Sequence, residues 1–92
     1  MTETDIIRTN TDALARALAV EIDRVRGFMR RARVVGKRSR ARLNLEPVAA
    51  PFGLSPDGYA LDCIAGAAYL GTLGTDTLSA CQSAIAAYLA AA

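Results

Sequence analysis

Ninety-two residues, 52% of them apolar, are enough for one small folded domain and too apolar for a disordered chain. Histidine is absent and the two cysteines, Cys63 and Cys81, have no metal-ligand spacing, so the residues offer no metal centre, no cofactor site and no imidazole base. The formal charge of +2 conceals a division. Residues 1–42 carry eleven basic and five acidic side chains, net +6, whereas residues 43–92 carry four acids (Glu46, Asp57, Asp62, Asp76) and no base, net −4.

In chain order, residues 1–10 read as a polar lead-in. Thr2, Glu3, Thr4 and Asp5 stand where a secretory leader needs a basic start and an apolar run, so the expectation is a cytoplasmic protein. Thr9 and Asp12 have the spacing of a capping box. The spacing then predicts a basic amphipathic helix over residues 12–35. At ~100° per residue, Leu14, Ala17, Leu18, Ile22, Val25, Phe28, Met29 and Ala32 share one arc. Val20 falls outside that arc, and Glu21 interrupts a heptad-like seam through Leu14, Leu18, Val25, Phe28 and Ala32.

Gly36 is the predicted helix stop. Residues 36–55 read as a loop or linker, because Pro47 and Pro51 lie inside it and Pro56 just beyond. Leu43, Leu45 and Val48 are expected to form a short extended piece on the core. Ser55, Pro56 and Asp57 have the order of cap, first helical position and first-turn acid. They predict a helix from about residue 56 to Leu73, closed by Gly74. Thr75 or Asp76 then caps a last helix to about Ala91. Small residues on both helices (Ala60, Cys63, Gly66, Ala67 and Gly71; Ser79, Ser83, Ala86, Ala87 and Ala90) predict a close antiparallel hairpin. The expected fold is all-α: a long N-terminal amphipathic helix packed on a C-terminal helical hairpin. No run of apolar residues reaches the roughly 20 needed to span a bilayer, since Asp62 and Asp76 interrupt the C-terminal third.

The functional signal is the basic segment. Nine of the eleven basic residues are Arg24, Arg26, Arg30, Arg31, Arg33, Lys37, Arg38, Arg40 and Arg42. Arg26, Arg30, Arg33 and Lys37 recur at helical spacing as one ridge, and Arg24, Arg31 and Arg38 as a second. Guanidinium groups match phosphate oxygens in pairs, so these nine are the candidate nucleic-acid-binding residues. No aromatic side chain is interleaved with residues 30–42, which removes a base-stacking platform and points to phosphate contacts. The competing readings are a solvated helix face with intrahelical pairs such as Asp23 to Arg26 or Arg30, and a basic face that mates with the acidic half of another subunit.

Other motifs fail on their residues. A phosphate-binding loop ending at Gly36-Lys37 needs Gly at position 31 and Ser or Thr at 38, and both are Arg. A helix-turn-helix over residues 66–85 puts Leu70 where a small residue belongs and carries no base into the groove. Cys63 and Cys81 are offset by about 6 Å along a hairpin hinged at Gly74, which favours two buried thiols over a disulfide. With no nucleophile–base pair, the chain reads as non-enzymatic. The leading expectation is a small viral or bacterial helical protein that binds a polyanion, nucleic acid first. A small inhibitor or adaptor, of the type phages and mobile elements direct at a host complex, is the alternative. A structural subunit of a homo-oligomer is the other. An apolar hairpin of this kind is itself expected to be covered by a second copy or by a larger complex.

Overall fold

A computed structural model describes residues 1–34 and 42–92, apart from the side chains of Arg33 and Val34. The fold is all-α, and no strand occurs among the described residues. The helices are α1 (Glu3–Thr9), α2 (Thr11–Val34), α3 (Glu46–Ala49), which runs into a 3-10 turn over Ala50–Phe52, α4 (Tyr59–Gly71) and α5 (Thr77–Ala91). Among the described residues no helix is long and apolar enough to cross a membrane.

Residues 3–9 are helical, where a polar lead-in is expected. The capping box lies at their start: the Asp5 amide donates to the Thr2 hydroxyl, and the Thr2 amide donates to the Asp5 carboxylate. Those hydrogen bonds also hold the Asp5 carboxyl below its ordinary pKa. Two donors that a short helix would leave open are thereby satisfied. Composition hid this helix because its apolar stripe is only Ile6 and Ile7. Ile7 is fully buried, and Thr4 meets the Tyr88 hydroxyl of α5 at 3.4 Å. At the expected box, Thr9 instead donates back to the Asp5 carbonyl, and Asn10 closes α1.

α2 follows after a single residue. Its buried stripe is Leu14, Ala15, Leu18, Ala19, Ile22 and Val25, a period of three to four that turns one side to the core. Val20 is 72% exposed, as its position on the wheel requires. Phe28 is 42% exposed, although the wheel places it on the apolar arc. The main core ends a turn before it: Val25 is the last fully covered side chain of the stripe.

The proline-bearing segment contains helical turns where a loop or an extended piece is expected. Pro47 and Pro51 each occupy an early position of a helical turn, where no amide donor is needed. Val48 and Ala49 are buried in the core, and Leu43, Leu45 and Phe52 pack against that core. Gly53 closes the 3-10 turn at φ +68°, the left-handed conformation that a side chain disfavours. Ser55 to Gly58 form a turn, with the Gly58 amide donating to the Ser55 carbonyl. α4 therefore begins at Tyr59, three residues later than the Ser-Pro-Asp order suggests, with Gly58 as its cap.

α4 and α5 form the expected hairpin, and α5 also packs along α2. Asp76 is the cap of α5, its carboxylate accepting from the Ser79 amide at 2.9 Å and from the Ser79 hydroxyl at 2.7 Å. At the hairpin contact Gly71 of α4 faces Ala80 of α5, and Ala60, Ala65 and Ala68 of α4 and Ala84 of α5 are buried. A Cβ added at Gly71 would stand 3.4 Å from that of Ala80, in van der Waals contact, so the two helices are already close there. Cys63, Gly66 and Ala67, expected at this contact, face outward instead.

Candidate nucleic-acid interface

α2 carries the basic segment away from its buried stripe. Successive residues turn by about 100°, so the two arginine ridges leave the helix in different directions. Arg26 and Arg30 lie on the flank facing the α4–α5 turn. Arg24 lies on the flank facing the strand of chain that returns at Arg42 to Asn44.

Arg24 is committed internally. Its Nε and Nη2 donate to the two carboxylate oxygens of Glu21 at 2.8 and 2.7 Å, and Nη2 also reaches the Arg42 carbonyl at 3.4 Å. Glu21 is buried and accepts from the Asn44 amide at 2.7 Å. The Arg24 hydrogen bonds, assisted by that amide, hold the Glu21 carboxyl below its ordinary pKa against the opposing effect of burial. This pair is a clamp between α2 and the segment entering α3.

Arg26 is committed as well. Its Nη1 donates at 3.2 Å to the carbonyl of Thr72, the cap residue of α4. A cation at a helix C-terminus satisfies an orphan carbonyl and meets the negative end of the helix dipole. Arg26, Arg30, Met29, Tyr69, Thr72 and Leu73 line a shallow groove of about 240 Å³ there. Asp23 and Asp76 border the neighbouring depression, which also includes Arg26 and Arg30. Asp23 accepts from the Thr77 hydroxyl at 2.6 Å. Among the described residues it makes no ion pair with Arg26 or Arg30; those that occur are Arg8 with Asp5, Arg16 with Asp12 and Arg24 with Glu21.

Arg30, Arg31 and Arg42 are exposed, and their guanidinium groups make no ion pair among the described residues. Lys37, Arg38 and Arg40 lie outside the described residues, as do the Arg33 side chain and the predicted stop at Gly36. Of the nine candidates, two are structural and three are exposed cations. The residues that sequence reasoning missed are Glu21 and Thr72. The i, i+3 spacing of Glu21 to Arg24 was the available signal for the first. The second is a backbone carbonyl, which no side-chain pattern marks.

Neither thiol bonds to the other. Cys81 is buried and Cys63 is exposed, so the expectation of two buried thiols holds only for Cys81. Burial, reinforced by the nearby Asp23, pushes the Cys81 thiol up to about 11. Comparison with protein-family models, with curated proteins and with solved structures finds no match to this chain.

Proposed function

We propose that this is a non-enzymatic helical protein, working in the cytoplasm, that binds a polyanion, nucleic acid first, through phosphate contacts. The observation that supports the reading is the exposure of Arg30, Arg31 and Arg42 beside a segment that adds Lys37, Arg38 and Arg40 to the same stretch of chain. Arg24 and Arg26 shape the face rather than contact the ligand, because their guanidinium groups already have partners. Exposed arginines on a helix with its opposite side buried present planar donors without unfolding anything. Affinity then depends on the number of phosphates neutralised and falls steeply with salt.

The test is fluorescence anisotropy of labelled duplex and single-stranded oligonucleotides with the full chain across a salt series. Binding that weakens linearly in log salt, with little preference among sequences, supports the reading. Absence of binding at low salt eliminates it.

A second reading has its own observation. Tyr59, Leu70 and Leu73 are 79%, 68% and 85% exposed, which fits a subunit whose apolar face is covered by another copy.

A further inference from the structure

Beyond the basic face, the outer side of α4 has the composition of an interface. Tyr59, Cys63, Gly66, Leu70 and Leu73 are spaced four, three, four and three residues apart, and all five are exposed. That is the spacing with which one helix meets another along a seam. The residues α4 buries against its own chain, Ala60, Leu61, Ile64, Ala65 and Ala68, lie on the other side. Asp62 is the one charged residue of α4, and α5 has none from Thr77 to Ala91. A contiguous uncharged face with two exposed leucines and a tyrosine is uncommon on a monomer.

We propose that two copies of this chain pair antiparallel through this seam, crossing at Gly66. In that arrangement Tyr59 lies level with Leu73 of the second copy, and Leu70 falls within one residue, about 1.5 Å along the axis, of the second copy's small Cys63. The glycines meet at the centre. Among the described residues, apart from its chain neighbours and the backbone of its own helix, nothing lies within 4 Å of a Cβ built at Gly66, which leaves the crossing point open. Large side chains fall opposite small ones along the inner part of the seam, as close packing of helices requires.

Charge names the occupant as a second copy. The Tyr59 end of the seam is acidic: Asp57 and Asp62 flank it, and the Glu3 carboxylate reaches Gly58, 2.7 Å from where a Cβ there would stand. The Leu73 end presents cations: Leu73 shares its groove with Arg26 and Arg30, and the nearby Asp23 and Asp76 carboxylates are already held by Thr77 and Ser79. Antiparallel pairing sets each acidic end over a basic end, twice by symmetry. Parallel pairing would set Asp62 beside Asp62. In such a pair Arg30 faces the second copy, and the exposed Arg31 and Arg42 are the cations that remain for a polyanion.

Sedimentation equilibrium of the full chain over a concentration series tests the pairing. The expected result is a dimer at the upper concentrations. Leu70→Glu is expected to give a monomer with an unchanged helical circular-dichroism spectrum. Leu73→Asp, in the turn outside α4, is the second disruptor should the first variant lose its fold. Asp62→Arg and Arg30→Glu are each expected to weaken association about tenfold, and the two together in one chain to restore it. Orientation is read by oxidation. Leu70→Cys is expected to cross-link to Cys63 of the second copy. Wild-type Cys63 is not expected to cross-link to itself, because antiparallel register separates the two by about 10 Å along the axis and a disulfide needs Cα atoms within roughly 7 Å. A monomer at every concentration, a dimer indifferent to both leucine variants, or wild-type Cys63 cross-linking as readily as Leu70→Cys would overturn the proposal.

Discussion

Glu21 and Arg24 form a two-pronged ion pair in which the carboxylate is buried and the guanidinium is open to solvent. The same carboxylate accepts the Asn44 amide, so one acid ties α2 to a segment more than twenty residues away. Glu21→Ala removes the acceptor for three hydrogen bonds and is expected to cost about 1.5–3 kcal/mol, the range for hydrogen bonds to charged groups. Chemical denaturation followed by circular dichroism measures it, and a loss below about 0.5 kcal/mol would make the clamp incidental.

The same pair sets a pH dependence. The folded Glu21 carboxyl titrates below its unfolded counterpart, chiefly because Arg24 donates to it. Its contribution is therefore complete above the unfolded glutamate pKa of roughly 4.3. It is lost as pH falls through the lower folded value. Melting temperatures of the wild type and Glu21→Gln are expected to differ at neutral pH and to converge at strongly acid pH.

Ile7→Ala should destabilise the fold by about 2–4 kcal/mol, because it opens a cavity at a fully buried position. Val20→Ala, on the exposed side of α2, should change stability by less than about 0.5 kcal/mol. Equal effects in urea titrations would remove α1 from the core.

Arg26→Ala and Arg30→Ala are expected to separate. The first loses the donor to the Thr72 carbonyl at the end of α4 and should cost about 1 kcal/mol; the second should be near neutral for stability. Thermal melts of the two variants decide this, and the reverse order would contradict the assignment of Arg26 as a cap.

The thiols should react in sequence. In dilute protein Cys63 is accessible, whereas Cys81 is enclosed and its burial opposes the thiolate. A thiol reagent at pH 8 is expected to label one cysteine per folded chain and the second only in denaturant. Rapid labelling of both in the folded protein would place Cys81 at the surface.

The helices were legible where periodicity is long. The wheel through Leu14, Leu18, Ile22 and Val25 located the start of α2 within a residue, and Asp76 announced α5. Short helices were not legible. α1 carries one fully buried residue and α3 is a single turn, so neither has a period to count; the prolines of the second region read as breakers although Pro47 and Pro51 each start a turn. On α4 and α5 half of the positions are Ala, Gly or Cys, and identity alone does not say which side is buried. That is why Gly66 and Cys63 were expected inside and lie outside. At the candidate site the arginines were legible as a cluster, and their division was not. Whether an arginine is free depends on a buried acid and a distant carbonyl, and both are tertiary facts.

The most direct test of the polyanion-binding account is the salt slope of oligonucleotide binding for the wild type and for the double variant Arg31→Ala with Arg42→Ala. The account predicts micromolar binding at low salt for the wild type. It predicts weaker binding for the double variant, with the slope of log affinity against log salt shallower by about 1.8 on duplex DNA, or 0.9 for each phosphate contact removed. An unchanged slope in the variant, or no binding by the wild type at low salt, would contradict it.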